Sequence, residues 1–353
     1  MAIEQKSKIM MFPRIGKYII IFFSVAFIVM GGCAYQLYQY IFKENIKREY
    51  VLFVTEETTY KQVTDSLIAN DVLISYKAFK WVAKRKNYPE SVKPGHYVFY
   101  KGMNTNQIVN MLRAGLQEPV NVTFNNIRFK EDLAGRISKY IEADSLSILS
   151  LFYDEKKIED YGFTPESFSA MFIPNTYELY WTTTAEEFAV RMKMEYERFW
   201  NEERRKKAEE IGLTPVETVT LASIVQAETA KNEELKRVAG LYINRLKRGQ
   251  LLQADPTVRY AVGDFSLRRI LNSHLAVESP YNTYKYTGLP PGPIGFPETN
   301  VIEAVLDFEK HNFIYMCAKE DFSGFHNFAV TLDEHNRNAA RYRAALNANQ
   351  IFQ

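Results

Sequence analysis

One carboxyl stands near the end of an otherwise apolar stretch, Leu221-Ala-Ser-Ile-Val-Gln-Ala-Glu228-Thr-Ala230. Thr214, Pro215 and Glu217 read as the N-cap, first helical residue and capping-box partner of a helix that carries this stretch. Leu221, Ile224, Val225 and Glu228 then share one face, at offsets of three, four and seven. Such a face is expected to be buried, and an acid on it is costly to ionise. A carboxyl that keeps its proton near neutral pH can serve as a general acid. The competing reading is an acid at a helix end, paired with Lys231 or Arg237.

More residues of chemical interest follow downstream. Tyr242-Ile-Asn244-Arg245-Leu sits on a helix expected over residues 234–247, with Gly249 suited to end it. Leu252-Gln253-Ala-Asp255-Pro-Thr257-Val-Arg-Tyr260 comes next, then Tyr281-Asn282-Thr-Tyr284, Gly288-Leu-Pro-Pro-Gly-Pro293, His326-Asn-Phe328 and His335-Asn336. In this order and spacing the chain from about residue 214 to its end resembles the endolytic murein transglycosylases, the MltG/YceG-like family. The resemblance implies a lyase, without cofactor, that cuts peptidoglycan glycan strands within the chain at the MurNAc-GlcNAc bond. It implies Glu228 as the catalytic residue. Many relatives carry a second acid two residues earlier, where this chain has Gln226, which cannot share the proton.

Glycosidic cleavage ordinarily uses two carboxylates. A lytic transglycosylase can use one, because the sugar's own C6 hydroxyl attacks the anomeric carbon and closes a 1,6-anhydro ring. Asp255 competes for the role of second carboxylate. Its Gln-Ala-Asp-Pro-Thr setting also suits a turn residue that fixes Arg259. Gln253 is expected at a cleft edge. Arg245, beside Asn244, is expected to anchor Glu228 or a peptide-stem carboxylate, or else to form a surface pair. Tyr260, Tyr281 and Tyr284 are candidate sugar-stacking walls, with Asn282 in the same proline-stiffened loop region, and the alternative is an ordinary buried loop. His326 is a candidate substrate contact. With His335 it could ligate a metal, but no carboxylate sits at a helpful spacing, so no metal site is expected. Ser223 lacks the surroundings of a hydrolase nucleophile. Two rival functions remain at this level: a muramidase-type hydrolase of the same bond, and a membrane-anchored glycan-binding scaffold.

The 353 residues suffice for two folded domains. A net charge of +2, with no basic run between aromatics, gives no case for nucleic acid. The two cysteines, Cys33 and Cys317, stand too far apart in the organisation to form a disulfide. Met30-Gly-Gly-Cys33 is a poor lipoprotein signal.

The N-terminal segment decides the compartment. The 25 residues between Lys17 and Lys43 carry no charge. As a helix they would extend about 37 Å, enough to cross a bilayer. Tyr35, Tyr38 and Tyr40 suit the far interface, and Lys6, Lys8, Arg14 and Lys17 put the N-terminus in the cytoplasm. A cleaved signal peptide is the alternative. The expected location is the cell inner membrane, with a single span and the bulk of the chain outside the cytoplasm.

The expected class is α+β. A cytoplasmic tail (1–17) and a transmembrane helix (18–42) lead into a small βααβα module (43–118) and a larger α+β catalytic domain (119–353). In the module, strands fall at 50–54 and 94–100, and helices at 58–69, 74–83 and 104–116. It resembles a LysM-like unit, whose relatives bind N-acetylglucosamine chains. Trp81, Tyr97, Phe99 and Tyr100 are either glycan contacts or core. In the larger domain a strand is expected at 120–124 and helices at 132–141, 184–210 and 335–347. Phe172-Ile-Pro-Asn175-Thr-Tyr-Glu178 resembles a family segment in which Asn175 replaces an Asp, leaving Glu178 as a weaker candidate. Partners implied by the resemblance are glycan strands, cell-wall synthases and the elongation and division machinery.

Overall fold

The computed structural model describes residues 12–267 and 270–349. Lys6 and Lys8 of the expected cytoplasmic tail lie outside the described residues. Among the described residues the fold mixes helices with three separate two-stranded antiparallel sheets, and the chain gathers into two units. One unit runs to Pro119 and takes back Tyr180–Thr182; the other holds Val120–Leu179 and the chain from Thr183 onward.

The first unit starts with α1 (Phe12–Phe42). From Gly16 to Phe42 its mean hydropathy reaches 2.1 with none of that stretch buried. The module that follows runs β1 (Tyr50–Val54), α2 (Tyr60–Ala69), α3 (Tyr76–Arg85), β2 (Gly95–Phe99) and α4 (Thr105–Ala114). β1 pairs antiparallel with β2, Tyr50 opposite Phe99. Its core gathers Val54, Val63, Leu67, Phe79, Tyr97, Phe99, Ile108 and Leu112. Tyr97 and Phe99 are fully buried, so these two aromatics are core and cannot stack on a sugar. Asn104 and Gln107 close a capping box on α4, and Gly115 ends it at φ +73°, as glycine does at a left-handed helix end.

The second unit pairs β3 (Val120–Phe124) with β4 (Asn175–Leu179), so Asn175 and Glu178 lie exposed on a strand. Between these strands run α5 (Lys130–Ile137), α6 (Ser145–Ser150) and α7 (Glu155–Asp160). The charged run expected as one helix over 184–210 is two, α8 (Ala185–Phe199) and α9 (Glu202–Glu210). Trp200 is buried at the break, and the Asn201 side chain caps the new helix by accepting from the Arg204 amide. Burial of an indole turns the chain, and the cap restarts the helix.

α10 (Pro215–Glu228) is the central element of this unit. The predicted start holds: Thr214 and Glu217 bond reciprocally and Pro215 opens the helix. The predicted single buried face does not. Every residue from Thr218 to Val225 is buried, because α10 lies among α9, α11 (Leu235–Lys247), α12 (Asp255–Val262) and α14 (Thr299–Leu306). Its buried hydroxyls are satisfied within the helix: Thr218, Thr220 and Ser223 donate to the carbonyls of Thr214, Val216 and Thr220. Ser223 also accepts from the Ile294 amide and is structural. The short α13 (Asn272–Leu275) precedes the proline-rich loop. A hairpin of β5 (Tyr315–Ala318) and β6 (His326–Ala329) packs on α15 (Leu332–Ala348).

Candidate active site

Glu228 is the last residue of α10, and the chain turns extended at Thr229 (φ −138°). The carboxyl faces an open pocket of about 270 Å³ shared by α11, the start of α12, the residue 281–284 loop and the β5–β6 hairpin. Burial pushes the Glu228 carboxyl up from 4.5 to about 7, against a lowering hydrogen bond from Tyr242 and with the charge of Asp255 adding to the rise. The negative end of the α10 dipole disfavours its ionised form in the same direction. Neither Lys231 nor Arg237 pairs with it: Lys231 lies over the Phe325 ring and Arg237 binds Glu309.

Tyr242, on α11, donates its hydroxyl to Glu228 Oε1 at 2.7 Å. Burial holds the phenol well above its ordinary value, so it stays a donor. With Oε1 accepting, Oε2 is the oxygen left to carry an acid proton. Asp255 is not in a turn, as its dipeptide with proline suggested; it is the first residue of α12. Its Oδ1 accepts from the Tyr284 hydroxyl at 2.6 Å. Gln253 reaches the pocket rim at φ +48°. Its amide donates to the Thr283 carbonyl at 3.1 Å, and the Ala254 amide donates to Thr283 Oγ1 at 3.0 Å. This pairing fixes Asp255 and Tyr284 side by side.

His326, on β6, also lines the pocket. Its Nδ1 and its amide both meet the Glu234 carboxylate, each at 2.8 Å. Glu234 is 3% exposed, in a single turn just before α11. A carboxylate only accepts, so Nδ1 carries hydrogen and Nε2 is the ring's remaining polar atom.

Of the residues predicted for the site, Glu228, Arg245, Gln253, Asp255, Tyr284 and His326 line this pocket. Arg245 does not anchor Glu228. Its guanidinium donates to the carbonyls of Ile314 (2.6 Å), Leu252 (2.7 Å) and Leu251 (3.3 Å), tying three segments of the wall together. Asn244, Tyr260, Tyr281 and Asn282 lie outside the pocket. Asn244 binds the carbonyls of His311 and Phe313, and Asn282, fully buried, binds those of Leu275 and Val277. Tyr260 and Tyr281 pack on each other at 4.6 Å, where the phenol of Tyr260 and Pro293 border a separate cavity of about 230 Å³. The proline-rich loop is therefore framework for the Glu228 pocket, not its lining. The Tyr242 and Glu234 bonds, and the β5 residues Met316, Cys317 and Ala318 on the wall, were not foreseen. Tyr242 sits fourteen residues after Glu228, one helical hairpin away, and that spacing was the available signal.

Among the described residues no group of three His, Cys, Asp or Glu side chains could hold a metal ion. The two cysteines are free.

The raised carboxyl has a consequence for stability. Its folded value lies above its unfolded one, so the folded state holds this proton more tightly. The contribution is full below about pH 4.5 and is lost as pH rises through about 7. Glu228→Gln should match the parent protein in acid and exceed its stability above pH 7 by up to about 3 kcal/mol. Urea unfolding at both pH values reads this directly, and equal stability at both would place the carboxyl in solvent.

The site is thus a carboxyl raised by burial and held by a tyrosine, in an open pocket of a mixed helix–sheet unit. The sequence model of the YceG-like family matches residues 52–341, and the chain belongs to that family. It is 28% identical over 300 residues to the endolytic murein transglycosylase of Bacillus subtilis, covering 81% of this chain and 82% of that protein. It is 26% identical over 366 residues to the endolytic murein transglycosylase of Streptococcus pneumoniae D39, covering 92% of this chain and 65% of that one. The crystal structure of a YceG-like protein from Listeria monocytogenes is similar with a TM-score of 0.54 at 27% identity, covering 82% of this chain and 99% of the other.

Proposed function

We infer that this protein is an endolytic peptidoglycan lytic transglycosylase, a lyase that cuts the MurNAc-GlcNAc β-1,4 bond inside glycan strands and leaves a 1,6-anhydroMurNAc end. The observation that carries the mechanism is the Glu228 carboxyl, raised to about 7 and held through Oε1 by Tyr242 at the pocket. Its Oε2 proton passes to the glycosidic oxygen as the C1–O bond breaks. The C6 hydroxyl of the same sugar attacks C1, and its proton returns to the Glu228 carboxylate. The acid is regenerated and no water is consumed. Asp255, beside it, supplies negative charge for the oxocarbenium character that develops at C1. Tyr284 holds the Asp255 carboxylate, and Gln253 and His326 Nε2, which share the pocket, would take polar groups of the sugars.

Two substitutions should move the pH profile in opposite directions. Activity needs the protonated acid, so kcat/KM falls as pH rises through the Glu228 value. Tyr242→Phe removes a bond that lowers this value; the alkaline limb should move up and the rate should drop about tenfold. Asp255→Asn removes a charge that raises it; the alkaline limb should move down. Limbs that stay in place in both variants would mean another group donates the proton.

The apolar helix α1 is read as a single span of the cell's inner membrane, with its N-terminus in the cytoplasm and the chain after it outside the cytoplasm. The domain division proposed is an anchor, a LysM-like module over 43–118 and a catalytic domain over 119–353. The βααβα order supports the module reading, with exposed Tyr100 as a remaining aromatic candidate. Cutting nascent strands would end their elongation, which makes cell-wall synthases the expected partners. Size analysis of fragments from uncrosslinked strands tests the endolytic mode. Early products of intermediate length support it, and release of terminal disaccharides alone contradicts it.

A further inference from the structure

We propose that the outward face of α3 is a docking surface for the anionic lipid headgroups of the bilayer that α1 enters. The proposal rests on reading α1 as a membrane span and is independent of the catalytic site.

α3 has two unlike faces. Ala78, Phe79, Val82 and Ala83 are buried in the module core. Lys77, Lys80, Trp81, Lys84 and Arg85 recur at offsets of three, four, seven and eight, which puts them together on the opposite side. The four cations are exposed and Trp81 is half-buried. The helix contains no acidic residue. Among the described residues no salt bridge engages these four side chains. Like charges at such spacing repel one another, so the face gains from a polyanionic surface. Two of the cations lie over aromatic rings, Lys80 over Tyr76 and Arg85 over Trp81.

The position of this face selects the anion. About 20 helical residues cross the hydrocarbon core. A span entered near Tyr18 is therefore complete near Leu37, and Tyr38, Tyr40 and Phe42 fall at headgroup level. α3 is clamped at that level. The Tyr40 and Trp81 rings meet at 6.4 Å. Asn45, three residues past the end of α1, bonds both ways to Ser75, the N-cap of α3: it accepts from the Ser75 amide at 2.5 Å and donates to the Ser75 carbonyl at 3.1 Å. Basic side chains within a Debye length of an anionic leaflet are drawn to it. The basic face thus continues the anchor sideways along the membrane and restrains how the module stands on it.

The test uses the full chain in vesicles of phosphatidylcholine alone or mixed with phosphatidylglycerol. Amine acylation is read at each lysine by mass spectrometry. Lys77, Lys80 and Lys84 should label about tenfold less in the anionic vesicles, with labelling restored by high salt and Lys61 on α2 unchanged. Replacing all three with Gln should abolish the charge dependence of Arg85 modification by a dicarbonyl reagent. A fluorophore on Cys33, in a Cys317→Ser background, reports quenching by a lipid-soluble probe and so reads the anchor separately. Quenching at Cys33 with equal lysine labelling in both vesicles overturns the proposal and leaves the anchor intact. No quenching at Cys33 overturns both. Protection by soluble polyphosphate but not by anionic vesicles assigns the face to a polymer and also overturns it.

Discussion

Glu228→Gln should lower the release of anhydro-ended fragments by at least about a thousandfold while leaving strand binding in place. Gln keeps the shape of the side chain and can still accept from the Tyr242 hydroxyl that now meets Oε1 at 2.7 Å. It cannot give up a proton to the leaving oxygen or take one from the C6 hydroxyl. General acid and general base steps each contribute about 10²–10⁴-fold, and here one group performs both; Gln226, an amide engaged with the Glu298 amide and the Phe296 carbonyl, cannot take over. The loss should fall on kcat, since the interaction removed exists only along the reaction. The same variant should be the more stable protein above pH 7, so a misfolded enzyme cannot explain the loss. Near-normal turnover by a folded Glu228→Gln protein would remove this residue from the chemistry.

Gly292→Ala should be strongly destabilising to the second unit. A Cβ built on Gly292 would stand 1.9 Å from the Glu166 carbonyl oxygen and 2.5 Å from its carbon. The obstacle is backbone, held where the Ser167 amide and the Thr164 hydroxyl and carbonyl form a tight turn, so it cannot swing aside like a side chain. Overpacking of this kind costs about 3 kcal/mol or more. The expected result is a fall in urea midpoint with activity lost in proportion to the unfolded fraction. A stable variant with a raised KM would instead make the proline-rich loop a substrate contact. Gly263→Ala, at φ +75° but with nothing within 4 Å of its Cβ, should cost only its backbone strain, about 1 kcal/mol.

Much of the local structure was legible because the signals were local. Thr214, Pro215 and Glu217 announce the start of α10, and Gly249 and Gly115 the ends of α11 and α4, through bonds made within one helical turn. The β1 and β3 boundaries follow from β-rich runs of five residues. What was not legible depended on distant packing. The break at Trp200 arises because the indole is taken into the core, which charge periodicity does not reveal. The all-round burial of α10 comes from four other helices closing on it. At the site, a carboxyl on an apolar helix was readable, but its partner was not, because Tyr242 reaches it across a helical hairpin. Asn244, Tyr260, Tyr281 and Asn282 drew attention by chemical type, and each is used by the fold instead: two bind backbone carbonyls, and two pack on each other. Glu234 stands at the start of the helix expected over 234–247, and only its burial to 3% exposure and its bond to His326 show that it holds that ring.

The most direct test of the one-acid mechanism is to digest uncrosslinked glycan strands with the full-length protein in water enriched in heavy oxygen and weigh the new ends. Intramolecular attack by the C6 hydroxyl predicts 1,6-anhydro ends lighter by one water than hydrolysed ends and free of heavy oxygen. Reducing ends carrying one heavy oxygen would contradict it, because water would then have attacked C1, with Asp255 the other carboxylate lining the pocket to direct it.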